Sequence, residues 1–297
     1  MPLKDKLKLM RTKYGYSQDK VADLIKSIAV ASANDATVAM AEKISGNETE
    51  FVIKMNEKAK QLNMQNTNFV NATGLPKSGQ YCSAKDSAIM FRELLNHKEY
   101  FNFSKVWMDK IVHSENRFTQ ISNTNKLIKF YRGCDSGKTG FTNEAGHCLT
   151  ASAIRGNLRL ICSVIGAPDS KTRFNEVSSL FNYGFNTYEL KQIVSNNEVL
   201  SETAVINLGK QDRLSVKPKE NFYKLCKKGE NLNINTEIKF NDNLTAPINA
   251  NEEVGKILIY ENDVLIKEIP LISTETVLKR NFSDIITEIF DNITLIG

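Results

Sequence analysis

The chain has 297 residues, and its 41% hydrophobic and 25% charged residues are typical of a globular protein with one large or two ordinary domains. No apolar run reaches the roughly 18 residues that a membrane-spanning helix needs, so the sequence predicts no such helix. The basic residues 1–13 have no apolar stretch behind them, so they do not predict a secretory signal peptide.

The formal net charge of +5 is spread unevenly along the chain. Residues 1–189 hold 26 Lys and Arg against 18 acidic residues, whereas residues 190–297 hold 13 against 16. A basic first part favours an anionic partner, and nucleic acid belongs to that class. Because the lysines are scattered, a mildly cationic cleft is the preferred interpretation, and nucleic acid is not predicted as a partner.

Cysteine and histidine spacing argues against a metal site. The sequence has neither a Cys-x-x-Cys pair nor a Cys/His cluster, and its five cysteines form no recognisable disulfide pattern. We therefore expect neither a metal nor a cofactor. The cysteines are Cys82, Cys134, Cys148, Cys162 and Cys226, and the histidines are His97, His113 and His147.

Hydrophobic spacing predicts a first region that mixes helices with strands. Apolar residues recur at helical spacing over 19–31, 35–46 and 51–62, and again over 172–183. Ser83 is a plausible N-cap for a helix through Leu95, and a loop rich in Asn and Gly precedes it. Two apolar runs, 146–153 and 158–166, flank a Gly-Asn turn and predict a β-hairpin.

After Leu190 the pattern changes to short strand-like runs, which predict a small all-β domain. The last stretch, Phe282 to Ile296, places apolar residues at helical spacing with acidic residues opposite them. The sequence therefore divides into residues 1–189, a β-rich domain over 190–278, and an amphipathic helix over 279–297.

Two short motifs carry the chemistry. Lys138-Thr139-Gly140 alone is compatible with a plain turn, and Ser32-x-Asn34 alone is compatible with a polar kink between helices. A phosphate-binding loop is excluded, because the first glycine of that motif would fall on Arg132. Together and in this order, the two motifs match the second and third signatures of penicillin-recognising enzymes.

The surroundings of these motifs resemble the low-molecular-mass penicillin-binding proteins, which are serine-type D-Ala-D-Ala carboxypeptidases. The similar stretches are Asp23 to Ala36, Asn66 to Leu75, Gln80 to Asp86, Lys138 to Leu149, Val164 to Ala167 and Arg173 to Phe185, whereas the β-rich tail resembles the family's second domain more loosely. The resemblance implies an α/β domain of the serine β-lactamase/transpeptidase type, with helices flanking an antiparallel sheet, and a small all-β C-terminal domain. It also implies hydrolysis of the terminal D-Ala of peptidoglycan pentapeptide.

The resemblance assigns a role to each motif residue. It places Ser32 and Asn34 on one wall of the site, where the hydroxyl shuttles a proton and the amide holds substrate. It places Lys138 and Thr139 on a strand at the opposite wall, where they bind the terminal carboxylate, with Gly140 leaving room for the substrate backbone. Arg173 is expected to make a structural salt bridge.

The first signature, Ser-x-x-Lys, departs from the expected spacing. The only such sequence is Ser17-Gln-Asp-Lys20, just upstream of Ser32, and a helix cap is the preferred interpretation of Ser17. We therefore expect the nucleophile segment to be missing from this chain. Two alternatives stay open: a non-catalytic penicillin-binding-like protein, and a nucleic-acid-binding protein that uses the basic first half.

By the same resemblance, the expected partners are peptidoglycan pentapeptide and β-lactam antibiotics. The C-terminal helix is expected to touch a membrane surface. The expected location is extracytoplasmic, at the outer face of the cell membrane.

Overall fold

The structure, a computed structural model, describes residues 18–286. The chain divides between Thr187 and Tyr188 into two compact units. Unit 1 denotes the described residues up to 187, and unit 2 denotes the described residues from 188 onward. None of the described helices is long and apolar enough to cross a membrane.

Unit 1 mixes helices with short antiparallel sheets. Its elements are α1 (Gln18–Lys26), a π-helical turn (Ser27–Ala31), α2 (Asn34–Ser45), α3 (Glu48–Gln61), β1 (Thr67–Asn68), β2 (Tyr81–Cys82), α4 (Ala84–Leu95), a 3₁₀ turn (Lys98–Tyr100), α5 (Phe101–Ser104), β3 (Met108–Ser114), β4 (Arg117–Ser122), α6 (Leu127–Phe130), β5 (Cys134–Thr142), β6 (Gly146–Arg155), β7 (Leu158–Ala167) and α7 (Ser170–Thr187).

The central sheet of unit 1 runs in the order β5-β6-β7, with all strands antiparallel. Successive side chains of β6 point to opposite faces. Leu149 and Ala151 pack on one face with Phe181 of α7. On the other face, the hydroxyl of Thr150 lies 2.7 Å from that of Ser87 in α4. Helices therefore flank an antiparallel sheet, which confirms the predicted fold class.

Unit 2 is all-β apart from a helical turn at 282–286. Its strands are β8 (Tyr188–Val194), β9 (Thr203–Val205), β10 (Arg213–Pro218), β11 (Phe222–Lys227), β12 (Ile234–Phe240), β13 (Glu253–Glu261) and β14 (Val264–Ser273). Five of them form a sheet in the order β12-β13-β14-β10-β9, and β8 pairs with β11. Asn262 and Asp263 both have positive φ in the tight turn between β13 and β14, a conformation that these two residue types tolerate well.

The hairpin of β3 and β4 was not predicted from the sequence. Most of its described side chains are exposed or half-buried, so the strands lack the clean alternation of apolar and polar residues that marks a half-buried strand. The predicted C-terminal helix is described only over 282–286, and its remaining residues lie outside the described part of the chain. Ser17 also lies outside it.

Candidate active site

Ser32 lies at the end of a distorted helix. The π-helical turn ends at Ala31, and Ser32 adopts a left-handed conformation with φ 59° and ψ 39°. Such a conformation is uncommon for a residue other than glycine, asparagine or aspartate and costs on the order of 1 kcal/mol or more. It breaks the helix, so that α2 starts afresh at Asn34 and the exposed hydroxyl of Ser32 projects from the break.

Lys138 lies on β5, opposite Thr150 of β6. Its ammonium donates a hydrogen bond to Ser32 Oγ over 2.6 Å and a second to the carbonyl of Thr139 over 2.8 Å. The two predicted motifs, 106 residues apart in the sequence, are therefore in direct contact. Asn34 is exposed in the first turn of α2, two residues from this contact.

Burial, together with the positive charge of nearby Arg173, lowers the pKa of Lys138 to about 8. Within residues 18–286, no carboxylate forms an ion pair with this ammonium. A cation that is partly desolvated and has neutral partners retains its attraction for an external anion. The site is therefore suited to bind a carboxylate.

Arg173 of α7 binds the backbone of β5 and β6. Its guanidinium donates hydrogen bonds to the carbonyls of Gly140 (3.2 Å) and Cys148 (3.1 Å), and to the hydroxyl of Ser170 (3.2 Å). Among residues 18–286, no acidic side chain forms an ion pair with it, so the predicted salt bridge is wrong. The guanidinium instead fixes the backbone of β5 and β6 beside the Lys-Thr-Gly motif.

Two glycines of β5 have different surroundings. A Cβ at Gly137 would lie 2.4 Å from the amide nitrogen of Asn125 and 2.9 Å from the Cβ of Ala151, so the chain itself requires glycine there. A Cβ at Gly140 would meet only the Cβ of Cys148, at an ordinary 3.8 Å. The free space over Gly140 is therefore open to a molecule from outside the chain.

Two buried asparagines connect β5 to the helix break. Asn123 donates its side-chain amide to the carbonyls of Ser104 and Val106, over 3.1 and 2.9 Å. The backbone amide of Thr124 donates to the carbonyl of Val30, two residues before Ser32. Asn125 packs against Gly137, which immediately precedes Lys138. No local sequence pattern predicted the role of these asparagines, because that role depends on contacts between segments that are distant in the sequence.

The start of β1 is held by a buried carboxylate. Asp86 is almost fully buried and accepts from the backbone of Asn66 (2.7 Å) and the hydroxyl of Thr67 (2.9 Å). Ser83 caps α4 through the amide of Asp86, which confirms the predicted N-cap. The sequence placed Asp86 in the first turn of this helix but did not show that its carboxylate fixes β1.

Phe141 directly follows the Lys-Thr-Gly motif. The ring of His147 stacks on that of Phe141, with ring centroids 4.4 Å apart. This contact agrees with a packing role for the histidine. Among the described residues, no group of three His, Cys, Asp or Glu side chains could hold a metal ion.

Comparisons with known proteins agree with this geometry. Residues 5–169 match the D-alanyl-D-alanine carboxypeptidase family, and residues 188–279 match the C-terminal domain of penicillin-binding protein 5. The chain belongs to the D-alanyl-D-alanine carboxypeptidase family. Members of this family are serine enzymes and penicillin-binding proteins, as the sequence resemblance implied.

Individual relatives agree with this membership. The chain is 42% identical over 263 residues to the D-alanyl-D-alanine carboxypeptidase DacF of Bacillus subtilis, covering 88% of this chain and 67% of the relative. It is 33% identical over 274 residues to DacD of Salmonella typhimurium, covering 92% and 69%. The chain thus spans about two thirds of the length of these relatives.

Solved structures show the same fold. A peptidoglycan synthesis regulatory factor (PBP3) from Streptococcus pneumoniae matches with a TM-score of 0.69 at 25% identity, over 86% of this chain and 77% of that one. Penicillin-binding protein 5 from Haemophilus influenzae matches with a TM-score of 0.60 at 29% identity, over 87% and 75%.

Proposed function

We propose that Ser32, Asn34 and the Lys-Thr-Gly strand form the substrate-recognition half of a serine-type D-Ala-D-Ala carboxypeptidase site. The hydrogen bond of 2.6 Å between Lys138 and Ser32 carries this proposal, since it joins the two motifs that the family uses. The terminal carboxylate of the peptide binds to Lys138 and Thr139, and the peptide backbone lies over Gly140. Asn34 holds the substrate from the opposite wall.

Ser32 and Lys138 are also suited to move a proton. With its pKa near 8, the Lys138 ammonium titrates close to neutral pH and is in hydrogen-bond contact with the Ser32 hydroxyl. In the acylation step, a serine oxygen attacks the penultimate D-Ala carbonyl, its proton passes to the base, and the leaving D-Ala amine receives a proton. Ser32 gives its hydroxyl proton to the leaving group and takes a proton from the Lys138 ammonium, to which it is hydrogen-bonded. Water then hydrolyses the acyl-enzyme: a proton of the water restores the Lys138 ammonium, and the base returns its proton to the serine oxygen.

The sequence contains Ser-x-x-Lys only at Ser17 to Lys20, and Ser17 lies outside the described residues. We infer that Ser17 is not the nucleophile and predict that it forms no stable acyl-enzyme. Intact-mass spectrometry after incubation with penicillin tests this expectation. An adduct located on Ser17 would contradict it and would identify Ser17 as the nucleophile.

The carboxylate site is testable without turnover. Calorimetric titration with diacetyl-Lys-D-Ala-D-Ala should show binding that Lys138→Ala weakens by about 2 kcal/mol, as for one charge-assisted hydrogen bond. Lys171→Ala, which removes an exposed lysine of α7, is the matched control and should bind normally. Equal affinity of both variants would refute the assignment of Lys138. Binding without acylation would favour the non-catalytic alternative.

We further propose that the protein works at the outer face of the cell membrane and touches it through the C-terminal helix. Supporting this, Asn281 and Asp284 cap the helical turn at 282–286 reciprocally, over 2.9 and 2.8 Å. Phe282, Ile285 and Ile286 are exposed there. Co-sedimentation with liposomes, with and without residues 281–297, is the test. Equal sedimentation of both forms would exclude this helix as the anchor.

A further inference from the structure

The segment 105–132 is one of two basic stretches in the first part of the chain. It contains six Lys and Arg against two acidic residues, a balance of +4, which equals the balance of residues 1–13. One of the two acids, Asp109, is paired with Lys26 at 2.7 Å. The division of the sequence into halves hid this concentration, because residues 14–104 and 133–189 have no net charge.

The same segment exposes large apolar side chains. Its aromatic centre is Trp107, whose ring meets that of Phe130 edge-on with centroids 5.9 Å apart. Phe130 is 70% exposed. The hairpin adds further exposed residues, which are Met108, Val112 and Phe118. Exposed aromatic surface of this kind marks an interaction site more often than a random surface does.

Lysines lie directly over these rings. The Lys129 ammonium is 5.4 Å from the Trp107 centroid and 5.5 Å from that of Phe130, and the Lys110 ammonium is 5.6 Å from that of Phe118. We call the residues Trp107, Lys129 and Phe130 the aromatic–lysine patch. Lys110 and Phe118 form a separate pair on the opposite face of the β3–β4 hairpin, because successive residues along a strand point to opposite faces. A surface that combines flat apolar faces with cations suits a ligand that has flat apolar faces and carboxylates.

The patch is linked to both walls of the carboxylate site, by hydrogen bonds on one side and by packing on the other. The carbonyl of Trp107 accepts from the backbone amide of Asn123 over 2.8 Å. The next two residues along the chain reach Val30 beside Ser32, and Gly137 beside Lys138. A pentapeptide with its terminal carboxylate at Lys138 spans at most about 17 Å, so whatever is attached to its other end lies on surface neighbouring the site.

We propose that the aromatic–lysine patch binds the glycan strand of peptidoglycan, with Trp107 and Phe130 against sugar rings and Lys129 facing a carboxylate. The proposal rests on the proposed function, since it places the polymer that bears the peptide beside the peptide's own site. Charge complementarity supports it, because every muramic acid unit whose stem peptide has been removed carries a free lactyl carboxylate, which is an amide only where a peptide is attached. The rings explain why the occupant is a polysaccharide rather than a simple polyanion.

The test uses the whole chain and two probes: sacculi stripped of wall polymers, and soluble glycan strands freed of peptide. Trp107 is the only tryptophan of the protein, so its fluorescence reports directly on the patch. Peptide-free strands should change this emission saturably. Phe130→Ala combined with Lys129→Glu should weaken the affinity at least about tenfold, which corresponds to the loss of an aromatic contact and a charge.

Leu180→Ala combined with Tyr183→Ala is the matched control, since it removes exposed apolar side chains of the same unit on α7. This control should co-sediment with sacculi as the wild type does. Circular dichroism should show that both double variants fold, because the side chains removed are largely exposed.

Unchanged glycan binding by the patch variant would overturn the proposal. So would loss of sacculus binding in Lys138→Ala alone, since the peptide site would then be the only contact, although the proposed function would stand. Preferential binding of the patch to anionic vesicles or to a single-stranded oligonucleotide would also overturn it and would identify a different partner. If glycan binds and diacetyl-Lys-D-Ala-D-Ala does not, the proposed function fails while the patch assignment holds.

Discussion

Each of the two units is stabilised internally by a different kind of contact. Unit 2 has a single core in which thirteen buried apolar residues from its strands and loops pack together. Unit 1 is longer, yet its largest clusters of buried apolar residues hold only eight and three residues, and its other buried apolar residues lie outside them. Of the ten buried polar or charged residues in the described chain, nine belong to unit 1.

This difference in buried polar content indicates that the two units have different structural roles. Buried polar groups contribute little net stability but fix geometry, because each must find its partners in a low-dielectric interior. In unit 1, Asp86 holds the start of β1, and Asn123 and Asn125 connect β5 to the helix break at Ser32. Arg173 fixes the backbone of β5 and β6. The apolar core of unit 2 provides stability and places no comparable constraint on side-chain chemistry.

The largest effect is expected from truncating the core of either unit. Leu214→Ala in unit 2 and Phe181→Ala in unit 1 each remove a fully buried side chain and should cost about 3–5 kcal/mol of unfolding free energy. Amide exchange should report each loss in the unit that carries it. The control is Leu278→Ala, because Leu278 is exposed and should tolerate the change. A smaller loss at Leu214 than at Leu278 would contradict the picture of a unit 2 held by its core.

The second-largest loss of stability is expected when a buried ion pair is broken, in comparison with an exposed pair. Asp135 accepts two hydrogen bonds from Arg159, at 2.9 and 2.8 Å, and one from Ser152 at 3.0 Å. Asp135→Ala leaves these donors unpaired and should cost roughly 2–3 kcal/mol, below the full value for a buried pair because Arg159 is partly exposed.

Glu268→Ala is the matched control for Asp135→Ala. It breaks the exposed pair with Lys256 in unit 2, at 2.8 Å, and should cost less than about 1 kcal/mol. Chemical denaturation measures both variants. Equal losses would mean that polar contacts matter no more in unit 1 than in unit 2.

The sequence predicted the hairpins of unit 1 with unequal success, for a physical reason. The β6–β7 hairpin has strong apolar runs and turn residues, and its position is confirmed. The hairpin of β3 and β4 escaped prediction because both its faces are largely solvated. For the site, motif identity named Ser32 and Lys138, while Asn125 and the hydrogen bonds of Arg173 depend on tertiary contacts that no local pattern encodes.

The third effect distinguishes a glycine kept by the fold from one that the fold does not require. Gly137→Ala forces a Cβ against Asn125 and Ala151 and should destabilise unit 1 by about 1–3 kcal/mol. Gly140→Ala meets no such obstacle and should leave the melting temperature nearly unchanged, yet weaken binding of diacetyl-Lys-D-Ala-D-Ala. Differential scanning calorimetry and peptide titration measure the two outcomes. Normal peptide binding by Gly140→Ala would show that substrate does not pass over this glycine.

The smallest effect concerns Lys138, whose folded-state pKa of about 8 lies below the value of roughly 10.4 expected in the unfolded chain. Between these two pH values, the unfolded state binds a proton that the folded state has lost. The unfolding free energy contributed by Lys138 therefore rises with pH through this window, and at pH 7 the charged side chain costs stability.

Lys138→Met should consequently be more stable than the wild type at pH 7, by on the order of 1 kcal/mol after allowance for partial exposure and for the lost hydrogen bond to Ser32. The advantage should shrink as the pH rises from 8 to 10. Lys256→Met, an exposed lysine of unit 2, is the control and should give a curve parallel to that of the wild type. If Lys138→Met is instead less stable at pH 7, then Lys138 stabilises unit 1 through its hydrogen bonds. A site residue that lowers the stability of its own unit is the behaviour expected where a fold keeps a charge in place for a ligand.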